Sequence, residues 1–371
     1  MAISVRSFAK INLGLRIGAL RADGFHELRT VYQTIGLHDV IRLRIARGDG
    51  IEIRCEDPRV PTNEWNTCYR IAERAMSALD AQGKVIIEIE KRLPVQGGLG
   101  AASSNAVSAL LALERVMKKS LPGPEKLRIG AEVGSDLPLF LIGGTVLGVG
   151  RGEEVYPLSD LPRNACVIAT PGIAVSTPKA FADWDLLSGA GEGAELGSSG
   201  PGVAVPTSEK TARSTMNASA MTGGDARRSP AKLTPSYPSD RMLEFGYAAA
   251  SWLSSFSQRK TKAGLASSGV PVSGRGRAET PLLDLVRTGI ENDFERVVFP
   301  QYPELREVKR LLEQAGAQYA SLSGSGSAVY GLFSSSDAAA KAATRLKKSG
   351  VPAVATSTIT RQQYWKKILD C

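Results

Sequence analysis

The 371-residue sequence has few histidines, few cysteines and no long uncharged apolar run. Its only two histidines, His26 and His38, exclude a histidine-rich metal site. Its four cysteines show no CxxC spacing, so free thiols in a reducing cytoplasm are expected rather than a disulfide framework. No run of about 18 uncharged apolar residues and no signal-peptide pattern is found, so we expect a cytoplasmic protein without a membrane segment.

Aromatic residues are also scarce, at 6%, and no run of five Lys or Arg residues occurs. The formal net charge of +9 is therefore spread along the chain, whereas nucleic-acid-binding segments concentrate their basic residues. Scattered positive charge attracts small anions as well as polymers. We therefore expect no nucleic-acid partner and an anionic small molecule as substrate.

Residues 188–280 differ from the rest of the chain, because they are rich in Gly, Ser, Ala, Pro and Thr and show little apolar periodicity. Such a segment buries too little apolar surface to offset the entropy of ordering it, so a low-complexity, disordered insertion is predicted. One stretch inside it, RMLEFGYAAASWLSSF, has the spacing of an amphipathic helix. The remaining residues are enough for two domains.

The flanking regions predict a mixture of strands and helices. Alternating apolar residues indicate strands in SVRSFAKINLGLRI, VIRLRIARGDGIEIRC and KVIIEIEKRL, and the GDG of the second is a hairpin signal. Helical spacing occurs in NTCYRIAERAMSALDAQ, and after Thr280 in two pieces interrupted near Pro300 and Pro303. Then QYASLSGSGSAVYGLF predicts strand, turn and strand, SDAAAKAATRLKKSG a helix ending at Gly350, and VPAVATSTIT a last strand. Together these elements predict an α+β fold.

A glycine-rich junction, LPVQGGLGAASSNAVSALLALERVMK, leads from a predicted strand into an unbroken helical pattern. Gly97, Gly98 and Gly100 allow close backbone approach, and the N–H groups that begin the helix attract anions. Ser103 and Ser104 add hydroxyl donors. The P-loop and Rossmann glycine patterns are both absent from the junction. By itself the junction is either a tight turn or a phosphate site of another kind.

Polar residues in apolar surroundings supply the other candidates. Lys10 and Asn12 lie two apart in a predicted strand and therefore share a face, although a solvated strand lysine is the plain alternative. Asp136, in VGSDLPLFL, is either a helix cap or a functional acid. The turn ADGFHELRT displays Phe25 and His26. A second Gly/Ser turn, in SLSGSGSAVYGLF, is able to approach a phosphate or a neighbouring backbone.

Taken together and in this order, these motifs resemble the GHMP kinase superfamily. GLGxxSSNA is typical of the superfamily, and AKINLGL with RxDGFHEL is typical of its members that act on a cytidine-diphosphate-linked alcohol in the non-mevalonate route to isoprenoids. The matching motifs span both ends of the chain and leave out mainly 188–280. The resemblance implies a two-domain GHMP kinase fold. Its nucleotide-binding domain, of βαβ type, would cover 1–160, and a ferredoxin-like α/β sandwich would comprise 161–187 and 281–371.

The same resemblance implies a reaction and its participants. ATP with Mg²⁺ is the phosphoryl donor, a 2-hydroxyl of the cytidine-diphosphate compound is the acceptor, and the Mg²⁺ ligands stay unassigned. Asp136 is implied as the catalytic base and Lys10 as its partner. The residues implied for ATP are Asn66, Lys91, Pro94, Val95, Gln96, Gly97, Gly98, Leu99, Gly100, Ala101, Ala102, Ser103 and Ser104. The residues implied for the acceptor are Asn12, Phe25, His26, Tyr32, Thr177 and Phe181. The cytosine would stack between Phe25 and Phe181, with His26 bonded to its edge.

Two residue choices depart from the usual pattern of the family. Ala101 and Ala102 stand where its loop commonly has glycine, and Phe25 stands where tyrosine is frequent. Alanine is acceptable if its φ is negative, so affinity for ATP is expected to change more than the chemistry. The insertion begins soon after Phe181, and we interpret it as a linker rather than a lid.

Two other functions are compatible with parts of this pattern. Another GHMP kinase, of homoserine or mevalonate type, would share the glycine-rich junction, but its substrate offers no base to stack on Phe25 or Phe181. A non-catalytic anion- or RNA-binding protein of related architecture would need neither Lys10 nor Asp136. A monomer or weak homodimer is expected.

Overall fold

The computed structural model describes residues 2–95, 97–192 and 291–368, which form two lobes, each built on one sheet. The first lobe contains β1 (Ile3–Leu20), β2 (His26–Ala46), β3 (Ile51–Cys55), α1 (Thr67–Ala78), β4 (Lys84–Glu90), α2 (Ala101–Met117), α3 (Gly123–Val133), α4 (Leu137–Ile142), β5 (Thr145–Val149) and β6 (Glu154–Pro157). The second contains β7 (Ala165–Ala169), α5 (Thr177–Glu192), α6 (Glu295–Gln301), α7 (Pro303–Gln314), β8 (Tyr319–Leu322), β9 (Val329–Phe333), α8 (Ser336–Lys348), β10 (Ala353–Ser357) and α9 (Arg361–Ile368). The predicted α+β class is confirmed, with β3–α1–β4 as the βαβ unit.

A long antiparallel hairpin of β1 and β2 organises the first sheet, whose strand order is β3-β4-β2-β5-β6 with β1 joined to β2. On one side of it, Ile41 and Leu43 share a core with Leu110 and Leu113 of α2. Residues 7–15 of β1 are buried throughout, so both faces of this strand lie inside the molecule. The Lys10 side chain is therefore not a solvated strand lysine.

The hairpin predicted at GDG is wrong, because β4 lies between β2 and β3, antiparallel to the first and parallel to the second. Gly48 and Gly50 have positive φ, so the motif does mark a turn. The apolar run around Ile87 suits a central strand buried on both faces. By contrast, β3 carries an exposed Arg54 and occupies the edge of the sheet, where charged side chains are tolerated.

The second sheet lies between the helices of the second lobe and the hairpin of the first lobe. Its order is β10-β7-β9-β8, antiparallel throughout. Successive residues of β7 point to opposite faces: Val167 packs in the core that the second lobe's helices share, whereas Ile168 clusters with Ile11 and Leu13 of β1. The sheet is therefore covered by helices on one face and by the first lobe's hairpin on the other.

Helix α9 returns to the first lobe. The Tyr364 hydroxyl donates to the Phe140 carbonyl at 2.7 Å, and Trp365 Nε1 donates to the Ile142 carbonyl at 2.9 Å. The sequence-based boundaries at 160, 187 and 281 stay predictions, but the end of the described chain packs on the first lobe, which they did not anticipate.

Most of the remaining helix and strand predictions fall on described residues, and the others lie outside them. The break predicted near Pro300 and Pro303 is confirmed at Tyr302, between α6 and α7, and the elements from β8 to β10 are also confirmed. Helix α5 extends past 188 to Glu192. The rest of the predicted disordered insertion, including its amphipathic helix, lies outside the described residues.

Candidate active site

The glycine-rich junction is held against the second lobe by backbone contacts. Gly98 has φ +71°, and a Cβ atom there would overlap the carbonyl oxygen of Ser323. The Ser323 hydroxyl donates to the Gly98 carbonyl at 2.9 Å, and Ala328 N donates to the Gly97 carbonyl at 3.1 Å. The second Gly/Ser turn therefore approaches a neighbouring backbone, one of the two possibilities left by the sequence.

Helix α2 begins directly after this junction, with Gly100 at φ +68° as its N-cap. No described side chain caps the helix, so its first N–H groups remain available to an anion. Ala101 and Ala102 are its first two helical residues and have no positive φ. Glycine is therefore not required at either position.

A cavity of about 390 Å³ lies along this helix start. It is lined by Arg59, Val60, Pro61, Trp65, Asn66, Thr67, Ile89, Lys91, Pro94, Val95, Gly97, Gly98, Leu99, Gly100, Ala101, Ala102, Ser103 and Asn105. Nearly all of the residues that the resemblance implied for ATP are thus brought together. Gln96 lies outside the described residues, and the buried Ser104 hydroxyl accepts a 2.8 Å hydrogen bond from Ser7 instead of facing the cavity.

Asn66 has a local structural role at the rim of this cavity. It is the N-cap of α1, where its Oδ1 accepts from Cys68 N at 2.8 Å and its Nδ2 donates to the Pro61 carbonyl at 2.6 Å. These bonds fix the segment that closes one side of the cavity. Trp65, its neighbour in the lining, is 77% exposed.

Asp39 is a fully buried carboxylate behind the same cavity that sequence reasoning missed. Its Oδ2 lies 2.7 Å from Lys91 Nζ and accepts from Asn105 Nδ2 at 3.0 Å. Its Oδ1 accepts from the backbone N–H groups of Arg92 and Leu93, both at 2.7 Å. Asp39 therefore positions Lys91 and the stem of the glycine junction together. The available signal was a single acid in the strand segment LHDVIRLRI, whose other charged residues are both arginines.

The predicted catalytic pair meets beside the junction. Lys10 Nζ lies 3.3 Å from Asp136 Oδ2 and donates to Asn12 Oδ1 at 2.7 Å. The Lys10 side chain is almost completely buried, whereas 30% of the Asp136 side chain is exposed and can be reached by a ligand. Asn12 is held in turn by its Nδ2, which donates to the Thr30 hydroxyl at 2.7 Å.

Asp136 does not cap the helix that it precedes. It occupies the position before α4, but no described residue shows a capping bond to its carboxylate there. Its Oδ1 instead accepts a 3.0 Å hydrogen bond from the Tyr32 hydroxyl. Burial, with the Asp136 charge nearby, raises the pKa of Tyr32 well above its ordinary value, so the phenol keeps its proton and donates. The carboxylate is thus held between a cation and a hydroxyl donor.

At the outer end of the β1–β2 hairpin, the aromatic residues are arranged differently from the implied clamp. The His26 ring, not that of Phe25, stacks parallel on Phe181, with 5.2 Å between centroids. His26 Nε2 lies 3.0 Å from Asp185 Oδ1. Phe25 is 51% exposed, and the Arg151 guanidinium carbon lies 4.9 Å from its ring centroid.

Thr177 begins α5 on the other side of Gly98. Its hydroxyl forms a 2.7 Å hydrogen bond with that of Ser325, in the second Gly/Ser turn. A cavity of about 400 Å³, lined by Gly98, residues 174–178, Ser325 and Gly326, opens there. The backbone at Gly98 therefore borders two cavities, one on each side of the junction.

This fold and site define a small-molecule kinase of the GHMP type. The family model described as GHMP kinases N terminal domain matches residues 66–144, and that described as GHMP kinases C terminal matches residues 279–352. A 4-diphosphocytidyl-2-C-methyl-D-erythritol kinase of Solibacter usitatus is 32% identical over 99% of this chain and 92% of its own length. That of Acaryochloris marina is 30% identical over 93% of this chain and 92% of its own. The chain belongs to the 4-diphosphocytidyl-2-C-methyl-D-erythritol kinase family.

Solved structures agree with this assignment. The crystal structure of a 4-(cytidine 5'-diphospho)-2C-methyl-D-erythritol kinase is 26% identical, with a TM-score of 0.61 over 96% of this chain and 99% of that one. A homoserine kinase from Cytophaga hutchinsonii has a TM-score of 0.62 at 18% identity, over 98% of this chain and 96% of that one. The second likeness concerns the fold alone. Among the described residues, no helix is long and apolar enough to cross a membrane.

Proposed function

We propose that this chain uses ATP to phosphorylate the 2-hydroxyl of 4-diphosphocytidyl-2-C-methyl-D-erythritol, in the non-mevalonate route to isoprenoid precursors. The observation that carries the proposal is the Asp136 carboxylate, held between Lys10 Nζ and the Tyr32 hydroxyl beside the glycine junction, where Lys10 N donates to the Leu99 carbonyl at 3.0 Å. The chain's full-length relatives bear the name of this kinase.

The nucleotide phosphates would lie at the start of α2. The uncapped N–H groups of Ala101, Ala102 and Ser103 and the positive end of the helix dipole favour negative charge there. Lys91, fixed by Asp39, adds a cation to the same cavity. ATP can thus be bound largely by backbone, which requires no reorganisation when the phosphoryl group leaves.

The transfer itself requires a proton acceptor and a cation. As the substrate oxygen forms its bond to the γ-phosphorus and the bond from that phosphorus to the β–γ bridging oxygen breaks, Asp136 accepts the hydroxyl proton. Lys10 Nζ, 3.3 Å from the carboxylate, lies where negative charge is redistributed. Asn12 and Tyr32 restrict both groups to this geometry through 2.7 and 3.0 Å hydrogen bonds.

Mg²⁺ fits this site only as a companion of ATP. The described residues contain no cluster of three His, Cys, Asp or Glu side chains that could hold a metal ion by itself. Mg²⁺ is commonly bound through one or two protein oxygens together with substrate phosphates, and the Ser103 hydroxyl, which lines the cavity, would be an oxygen of this kind. Bound there, the ion would neutralise phosphate charge.

The base of the acceptor would be bound at the outer end of the hairpin. Phe25, His26 and Phe181 supply the aromatic surface, and stacking of a base on one such ring contributes roughly 1–3 kcal/mol. Because His26 already covers one face of Phe181, a base between Phe25 and Phe181 would take the place of the imidazole ring. Thr177 would border the path from the base to the reacting hydroxyl.

A cytoplasmic enzyme that acts as a monomer or weak homodimer, without a nucleic-acid partner, completes the proposal. All three described cysteines are free thiols, as is usual in a reducing compartment. Burial raises the pKa of the Cys166 thiol to about 12, so this thiol is not a reactive nucleophile.

The experiment is an ADP-release assay with three acceptor alcohols: 4-diphosphocytidyl-2-C-methyl-D-erythritol, mevalonate and homoserine. We expect ATP-dependent turnover of the first alone. Turnover of mevalonate or homoserine with equal efficiency would contradict the assignment of the acceptor. RNA binding without any ADP release would contradict the kinase.

A further inference from the structure

Arg151 lies between the reacting centre and the base-binding end of the acceptor site. It stands in the turn between β5 and β6, where a Cβ atom on Gly152 would lie 2.5 Å from the Tyr32 hydroxyl. The Tyr32 hydroxyl is the group that donates to Asp136. In the other direction, the guanidinium carbon of Arg151 is 4.9 Å from the centroid of the Phe25 ring. One short turn therefore touches both ends of the site.

Two hydrogen bonds between Gly150 and the start of β2 fix this turn in place. The Leu28 N–H donates to the Gly150 carbonyl at 2.5 Å, and the Gly150 N–H donates to Glu27 Oε1 at 3.1 Å. The other carboxylate oxygen of Glu27 accepts from Arg21 Nη1 at 3.0 Å. Arg21 is also bonded through its Nε to Asp23. Its guanidinium is therefore already occupied by two carboxylates, that of Asp23 in the turn that carries Phe25 and that of Glu27 in β2.

Arg151 has a different set of partners. Its Nε donates to Glu153 Oε1 at 3.1 Å, and its backbone N–H donates to Glu153 Oε2 at 2.6 Å. Within the described parts of the chain, neither of its two terminal nitrogens has a hydrogen-bond partner, and 30% of its side chain is exposed. Glu153 thus orients the guanidinium without using its outer edge.

We propose that Arg151 binds the diphosphate that links the cytidine to the acceptor alcohol. This inference rests on the proposed function, since it assigns a binding group for part of that substrate. The diphosphate must run from the base near Phe25 to the hydroxyl at Asp136, and the Arg151 turn borders both places. The two terminal N–H groups of a guanidinium form a planar fork that matches phosphate oxygens.

The nearby carboxylates make the positive charge of Arg151 necessary for binding of the diphosphate. Glu27 and Asp23 are paired with Arg21, whereas Glu153 is paired with Arg151 and loses this cation when Arg151 is removed. Without Arg151, an incoming diphosphate would meet an unpaired carboxylate, and like charges repel. Arg151 therefore also selects against alcohols without a diphosphate, because they gain nothing from its free edge.

The test compares Arg151→Met with Arg151→Lys and with Arg47→Met, an exposed arginine in the turn before β3. Inhibition constants of cytidine diphosphate and of cytidine are measured against the acceptor substrate at saturating ATP. For Arg151→Met we expect cytidine diphosphate to bind about 10- to 100-fold more weakly, as for the loss of charged hydrogen bonds. For Arg151→Met we expect the inhibition constant of cytidine and the KM for ATP to stay at their wild-type values. For Arg47→Met we expect all of these constants to stay at wild-type values.

The Arg151→Lys variant distinguishes a loss of binding from a folding defect, because lysine keeps the charge but not the planar fork. We expect Arg151→Lys protein to bind cytidine diphosphate more tightly than Arg151→Met protein does, but more weakly than wild type. An unchanged inhibition constant for cytidine diphosphate would overturn the inference. So would an equal loss for cytidine, which would mean that Arg151 only shapes the Phe25 turn. If instead the wild-type protein does not phosphorylate the cytidine compound, the proposed function itself fails.

Discussion

The two ends of the candidate site are built from different kinds of group. Around the proposed nucleotide cavity, the groups available to a phosphate come mainly from backbone, at Gly98, Gly100 and the first turn of α2. At the proposed acceptor end the functional groups are side chains, with Asp136 held by Lys10 and Tyr32 and with Arg151 oriented by Glu153. The first end depends on chain conformation, and the second on residue identity.

This difference separates what the fold determines from what individual side chains determine. Many sequences can adopt one fold and so present the same backbone groups, whereas function depends on the particular site built on that fold. Under the proposed function, the acceptor would be selected by side chains such as Phe25 and Arg151, which a common fold does not specify. Substitutions can therefore separate the two ends.

The largest effect at the nucleotide end is expected from Gly98→Ala. Alanine at φ +71° costs roughly 1–2 kcal/mol in backbone conformation, before the overlap with the Ser323 carbonyl is counted. Because the junction must move, we expect the KM for ATP to rise at least about tenfold, which corresponds to about 1.4 kcal/mol. Steady-state kinetics with ATP varied and thermal melting check this result.

Gly123→Ala is the matched control, because a Cβ atom at that position meets nothing within 4 Å. It should leave the KM for ATP and the melting temperature unchanged or slightly improved. A normal KM for ATP in the Gly98→Ala protein would show that the backbone at Gly98 does not bind the nucleotide.

The smallest effects are expected from Ala101→Gly and Ala102→Gly, which restore the more usual glycines of the family loop. Both residues already have helical conformation at the start of α2, so glycine opens no new contact. We expect the KM for ATP to change by less than about twofold, with stability lower by up to about 1 kcal/mol from helix propensity. A clear gain in ATP affinity would mean that the alanine methyl groups hinder the phosphates.

Much of the fold and of the candidate site could be predicted from the sequence, because local sequence patterns determine local structure. The alternation in β1, the glycine junction and the apolar surroundings of Asp136 all indicated their elements. The hairpin prediction at GDG was wrong because a turn motif indicates that the chain reverses but not which strands pair. Strand β4, which follows α1 in the sequence, lies between β2 and β3 in the sheet.

The residues that sequence reasoning missed depend on contacts between distant segments. Asp39 binds Lys91 and Asn105 from far along the chain, and Arg151 reaches the Phe25 turn from the turn after β5. The stacking of His26 on Phe181 likewise depends on how α5 packs against the hairpin. Such pairings follow from the tertiary fold, and no spacing in the sequence reports them.

The most direct test of the acceptor end is single-turnover phosphoryl transfer by Asp136→Asn protein with ATP and 4-diphosphocytidyl-2-C-methyl-D-erythritol both bound. Asparagine keeps the shape of the side chain but cannot accept the proton, so we expect transfer to slow by about 10²–10⁴-fold. Binding of ATP should stay within about threefold of wild type, or ~0.7 kcal/mol. Glu132→Gln, an exposed acid of α3, should transfer at the normal rate. Wild-type transfer by the Asp136→Asn protein would contradict Asp136 as the catalytic base.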